Sequence, residues 1–203
     1  MEEVEVKFLN IDVQATEAKL AALGAKKVGE YFYRRRVFDY PDLRLHKQGA
    51  WVRLRDEGER VTLVYKQRLG VTSHDGSTSD QSMEEVELTV DSFDRTAEFL
   101  TAIGLQEKFY EENRRVRWVK GEVEFDIDTW PQLPPYLEIE APSWQQIDEA
   151  IQLLGLNPAD KKIFSTLQVY KLAGIDELDY SRITFEGLVK KEWFMVVEKF
   201  FTT

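Results

Sequence analysis

The run Glu3-Val4-Glu5-Val6-Lys7-Phe8-Leu9 opens the chain with charged and apolar residues in alternation. Successive side chains of an extended strand point to opposite faces. Period two therefore puts Val4, Val6 and Phe8 on one side and Glu3, Glu5 and Lys7 on the other. The same alternation recurs along most of the chain. Glu3/Glu5, Arg53/Arg55, Glu85/Glu87, Arg115/Arg117, Asp126/Asp128 and Glu138/Glu140 all fall two apart in predicted strands, around Val4, Leu54, Val86, Val116, Ile127 and Ile139. A half-exposed antiparallel sheet also alternates, but its wet face is ordinarily a mixture with Thr, Ser, Gln and Lys. Here it is nearly all Glu, Asp and Arg. Like charges in neighbouring same-face positions repel, and an ionic ligand among them relieves the repulsion. The pattern predicts a closed or cupped sheet whose charged face surrounds something ionic.

Both signs on one lining suit one type of ligand. Guanidinium groups bind phosphate oxygens bidentately. Clustered carboxylates take hard cations such as Mg²⁺ or Mn²⁺. A metal–polyphosphate complex uses both.

Composition narrows the choice further. The chain has 203 residues, is 43% hydrophobic and 32% charged, and carries a net charge of −10. That is a folded chain with a full core, and its charge argues against nonspecific nucleic-acid binding. It has 0 cysteines, so disulfides and thiolate metal sites are excluded. The N-terminus shows no basic region followed by an apolar stretch, and no apolar run reaches membrane-spanning length. The default expectation is a cytoplasmic protein without a membrane partner.

Strands are expected near residues 2–9, 26–39, 50–55, 61–68, 84–90, 108–120, 122–128 and 136–140. Helices are expected after Asp12, after Asp91 or Ser92, and after Ser143, the first two closed by Gly24 and Gly104. The polar stretch Gly70 to Ser82 reads as a loop. Strand, helix, four strands, helix, three strands, helix is the order of an α+β domain on a largely antiparallel sheet or barrel. Beyond residue 157 the pattern weakens. Leu188, Val189, Trp193, Val196, Val197 and Phe200 have helical spacing, which predicts an amphipathic C-terminal helix that docks on the body or makes a homodimer contact.

Glu3-Val4-Glu5-Val6-Lys7 resembles the N-terminal signature of the CYTH superfamily, the triphosphate tunnel metalloenzymes, which includes class IV adenylyl cyclases and thiamine triphosphatases. The resemblance continues in order. Phe38-Asp39-Tyr40-Pro41-Asp42-Leu43-Arg44-Leu45 is similar to the family's second-strand segment. Gly49-Ala50-Trp51-Val52-Arg53-Leu54-Arg55 is similar to its paired-basic strand, and Leu63-Val64-Tyr65-Lys66 to its lysine strand. Glu85-Val86-Glu87 resembles a second Glu-x-Glu, Arg115 the arginine of a Lys-x-Arg pair, Asp128 its aspartate, and Glu138-Ile139-Glu140 the closing Glu-x-Glu. The likeness covers about residues 1–172. It departs at Asn113, where the family has the lysine of Lys-x-Arg, and in the tail.

The resemblance implies an eight-stranded antiparallel β-barrel, or tunnel, with flanking helices over residues 1–174, followed by a helical tail or extension over 175–203. It implies a triphosphate lying along Lys7, Arg53, Arg55, Lys66 and Arg115, with Arg117 as a further contact. Glu3, Glu5, Asp128, Glu138 and Glu140 would hold one or two Mg²⁺ or Mn²⁺ ions. Glu3, Glu5, Lys7 and Asp128 form the implied catalytic group. Glu85, Glu87 and Asp126 complete the acidic lining. Arg34 and Arg36 read as surface charges or secondary phosphate contacts, and Trp130 as a packing residue. The expected activity is hydrolysis of inorganic tripolyphosphate or an organic triphosphate. Conversion of ATP to cyclic AMP and pyrophosphate, and noncatalytic binding of polyphosphate or nucleotide, are the alternatives.

Overall fold

A computed structural model describes residues 4–68 and 83–191. Glu3, the expected loop 70–82 and most of the expected C-terminal helix lie outside the described residues. Strand β1 (Val4–Phe8) leads through Asp12 into α1 (Val13–Ala22). Then follow β2 (Lys26–Asp39), the one-turn helix α2 (Arg44–Lys47), β3 (Ala50–Asp56) and β4 (Val61–Arg68). Next come β5 (Met83–Val90), α3 (Phe93–Ala102), β6 (Gln106–Lys120), β7 (Val123–Thr129), β8 (Tyr136–Ala141) and α4 (Trp144–Leu154). The chain ends with α5 (Thr166–Leu172), a 3-10 turn at Glu177–Asp179, and the hairpin β9 (Tyr180–Thr184) and β10 (Gly187–Lys190).

The fold is α+β. Its eight principal strands run antiparallel in the order β1-β8-β7-β6-β2-β3-β4-β5, curled in a barrel-like way but not closed by hydrogen bonds. Among the described residues, β1 and β5 do not pair with each other. The free edge of β1 is met instead by Lys162, which exchanges two backbone hydrogen bonds with Lys7 at 2.8 and 3.0 Å. An edge that would otherwise expose unpaired backbone groups is thereby covered.

Alternation sorts the sheet into two faces. On the outer face, Val6, Phe8, Leu137, Ile139, Phe125, Ile127 and Trp118 pack with Leu20 of α1 and with Ile147, Ala150, Ile151 and Leu154 of α4. Farther round, Phe38, Leu54 and Tyr110 pack under Phe93, Ala97 and Leu100 of α3. The apolar stripes of α1, α3 and α4 are spent on this face, so the charged residues between the apolar ones are left on the other.

The C-terminal part departs from expectation. Leu188 and Val189 lie in β10, not in a helix. The hairpin β9–β10 closes through Thr184 and Gly187, and β9 pairs in parallel with β6 at Tyr110↔Arg182 and Glu111↔Ile183. At Leu188 and Val189, backbone pairing in a hairpin that joins the sheet outweighs the helical spacing. Ile183 joins Trp130, Leu133, Tyr136, Val169 and Tyr170 in a third apolar cluster. No helix of the described residues is long and apolar enough to cross a membrane.

Candidate functional site

The strand register sets the charged residues side by side. Across β1 and β8, Glu5 faces Glu140 and Lys7 faces Glu138. Across β8 and β7, Glu138 faces Asp126 and Glu140 faces Glu124. Across β7 and β6, Asp128 faces Arg115 and Asp126 faces Arg117. Directly opposed side chains are close enough to touch, and here they form one ionic network.

Lys7, 2% exposed, reaches Glu5 at 2.7 Å and Glu138 at 2.8 Å. Arg115 grips Asp128 with two hydrogen bonds of 2.7 and 2.6 Å and also reaches Asp126 at 2.5 Å and Glu138 at 3.0 Å. Arg117 binds Asp126 through Nε and Nη2 at 2.8 and 2.7 Å and pairs with Glu124 at 3.0 Å. Burial alone would push Glu138 up. Lys7 and then Arg115 outweigh it and hold the carboxylate well below its usual range. Burial likewise works against the charge on Lys7, but Glu138 and Glu5 hold it above the usual lysine range. Both groups are therefore ionised across the neutral range.

Glu5, Glu138 and Glu140 each offer a carboxylate oxygen within 4.8 Å of the other two. An all-oxygen donor set without His or Cys fits a hard divalent ion such as Mg²⁺ or Mn²⁺. Asp128 is not part of this trio. Arg115 holds both of its oxygens, and Asn113 Nδ2 donates to Oδ1 at 3.3 Å.

The other half of the lining is basic. Arg35 faces Arg55 across β2 and β3, and Arg53 faces Val37. Lys66 of β4 lies across from Trp51 and Glu85. Arg55 pairs with Glu57 at 2.5 Å and Lys66 with Glu85 at 2.7 Å. Nε and Nη1 of Arg35 and Nε of Arg53, by contrast, are buried without a hydrogen-bond partner among the described residues. Burial, and then the neighbouring guanidiniums of Arg55 and Arg35, pull Arg53 down to about 9, which leaves it cationic at neutral pH.

The family model for the CYTH domain matches residues 1–163. The chain belongs to the CYTH domain family. Solved structures share the fold at low identity. A Pyrococcus horikoshii OT3 protein is 20% identical with a TM-score of 0.67, covering 83% of this chain and 99% of that one. A Vibrio parahaemolyticus protein provisionally described as an adenylate cyclase is 15% identical with a TM-score of 0.69, covering 83% and 97%. A Hippeastrum protein provisionally named an adenylyl cyclase, and described by a dominant triphosphatase activity, is 15% identical with a TM-score of 0.61, covering 88% and 99%. A search of curated protein sequences gave no match.

In this CYTH domain the structure brings Glu5, Lys7, Arg115, Arg117, Asp126, Asp128, Glu138 and Glu140 into the one network described above. Arg53, Arg55 and Lys66 line the same face on β3 and β4. Glu85 touches Lys66 from β5, whose residues 84–89 are exposed, and Glu87 lies farther along that strand opposite Val64. Arg34 and Arg36 point to the outer face, where they pair with Asp56 and Asp94. The residue between them, Arg35, was missed by the sequence reading and faces the charged lining. Period-two counting outward from Arg34 and Arg36 contained the signal, but three successive arginines hid it. Glu111, across from Arg35, was also passed over, and burial pushes its carboxyl up.

Proposed function

We propose that this CYTH domain is a divalent-metal-dependent triphosphatase acting on inorganic tripolyphosphate or an organic triphosphate. One observation carries the reading: a carboxylate trio suited to a hard cation shares a sheet face with guanidiniums whose buried donors have no partner among the described residues. A metal–triphosphate complex answers both.

In this reading Glu5, Glu138 and Glu140 hold the ion, with Glu3 as a further ligand. A bound Mg²⁺ or Mn²⁺ supplies charge neutralisation at phosphoryl oxygens. Lys7 fixes the orientation of Glu5 and Glu138 and keeps Glu138 ionised. Arg115 holds Asp128, Asp126 and Glu138 as one rigid wall and is a phosphate contact when the substrate competes for its donors. Arg53, Arg55 and Lys66 bind the phosphate chain, with Arg117 at its flank. Water attacks the terminal phosphorus as its bond to the bridging oxygen breaks, giving phosphate and the diphosphate remainder, and the chain's own contribution is to position the phosphate and offset its charge. The Hippeastrum protein's described activity sets the substrate class to be tried first.

The test is product analysis after incubation with tripolyphosphate, ATP or thiamine triphosphate and Mg²⁺ or Mn²⁺. Phosphate release is expected, abolished by chelator, and lowered in Glu138→Gln on the order of 10²-fold or more in kcat. Release of cyclic AMP and pyrophosphate from ATP would make the protein a cyclase. Tight binding without turnover would make it a noncatalytic binding module.

A further inference from the structure

Arg35 is a charged side chain only 4% exposed, and it does not have the companions that buried guanidiniums ordinarily have. A buried charge is strongly disfavoured unless paired and hydrogen-bonded. Lys7, Arg115 and Arg117 meet that requirement with carboxylates at 3.0 Å or less. Arg35 does not. Among the described residues its Nε and Nη1 are buried without hydrogen-bond partners and no carboxylate oxygen lies within ion-pair distance, although the buried Glu111 faces it from β6 and acts on it through the field alone. Its plane is held by aromatic rings instead, Trp130 at 4.6 Å and Tyr33 at 5.3 Å from the guanidinium carbon. Trp130 is in turn braced edge-on by Tyr170 of α5, with ring centroids 6.2 Å apart. Stacking fixes a guanidinium in place while leaving its in-plane donors to a ligand.

Arg53, on the next strand of the same face, has a buried Nε in the same condition. Arg35 thus stands where β6, β9 and the Trp130–Tyr170 cluster wall the lining, away from the carboxylate trio on β1 and β8. We infer that Arg35 and Arg53 form an anion subsite for the unesterified terminal phosphoryl group of the substrate. The assignment rests on the triphosphate reading above and adds a residue, and a direction for the chain, to it. The terminal phosphoryl carries more charge and more free oxygens than an internal one. It is the group best matched to two guanidiniums with at least three unspent donors.

The experiment measures binding rather than turnover, in chelator, by calorimetry and by thermal denaturation. The ligands are tripolyphosphate and a bis-adenosyl triphosphate, in which both chain ends are esterified. Wild-type protein is expected to bind tripolyphosphate. Arg35→Gln is expected to bind it at least tenfold more weakly, with the unliganded melting temperature measured alongside so that a loss of folding is told apart from a loss of binding. The doubly esterified chain is expected to bind both proteins alike. If Arg35→Gln fails to fold, Arg35→Lys, which keeps the charge but loses the planar fork of donors, carries the same expectation. Undiminished tripolyphosphate binding by the variant overturns the subsite while leaving the triphosphatase reading intact. An equal loss for the doubly esterified chain overturns the terminal-phosphoryl assignment. Absence of tripolyphosphate binding by wild type in chelator overturns the subsite, and phosphate release with Mg²⁺ or Mn²⁺ decides the triphosphatase reading separately.

Discussion

Glu138 and Glu177 are both buried glutamates, yet their surroundings push them in opposite directions. Glu138 sits between Lys7 at 2.8 Å and Arg115 at 3.0 Å. Its folded-state pKa is lowered, so its contribution to stability is present above about 4.3, the unfolded value, and is lost as pH falls through the folded value. Lys7 is raised and so contributes below about 10.4, with loss only as pH climbs through its higher folded value. The pair is fully in force over the whole neutral range. Glu177 is 3% exposed, and burial, reinforced by Glu111, raises it well above the usual carboxyl range. The folded protein then holds a proton that the unfolded chain releases, so stability falls as pH rises between the two values. Glu177→Gln removes that penalty with little change of shape. Its melting temperature should exceed wild type by a few degrees at pH 8 and by clearly less at pH 5, read by circular dichroism. An equal gain at both values would show that Glu177 is not a titrating group of the fold. No sequence pattern marks Glu177, because its burial comes from a turn folded back on β6.

Helix α4 shows how an element remote from the charged face supports it. Ser143 caps it, accepting from the Gln146 backbone, and Gly155 ends it at φ 62°, a conformation that favours glycine. Its stripe Ile147, Ala150, Ile151 and Leu154 packs on the apolar face of β8 and β7. The opposite face of β8 carries Glu138 and Glu140. Ile151→Ala should cost about 2–5 kcal/mol, as deletion of buried aliphatic groups does, seen as a lower urea midpoint. An unchanged midpoint would mean that the α4 packing is not as tight as its burial indicates. Elements of this kind were legible. Asp12, Ser92 and Ser143 are the caps that the sequence suggests, each accepting a backbone hydrogen bond within its helix. Helix α5, with a Ser165–Gln168 capping box, and the β9–β10 hairpin were not. Both are short, and they persist through contacts with residues far away in sequence.

At the scale of the whole molecule, the segment after residue 174 is tied to the sheet. Ile183, fully buried, packs with Trp130, Tyr136 and Tyr170, and the main chain of β9 pairs with β6. A chain ending at residue 174 should lose at least the 1.5–3 kcal/mol or so that one large buried aliphatic side chain contributes, with a lower melting temperature. Truncation without effect would instead mark the segment as an appendage. The sequence by itself determined the strand alternation, and with it the two-faced sheet, the helix caps and the identity of most of the charged lining. Those follow from local geometry, because period two fixes which side chains share a face. Only the tertiary structure decided which charges neutralise one another and which do not. Glu5, Glu138 and Glu140 converge because β1 lies beside β8, a strand remote from it in sequence. Asp128 is taken by Arg115 and so stands outside that trio. Arg35 has no ion pair among the described residues although Glu111 faces it from β6, because β3 brings Arg55 against its other side and Trp130 and Tyr33 lie beside its guanidinium without spending its donors. Pairing and desolvation depend on register between distant strands, and no pattern within a single strand encodes them.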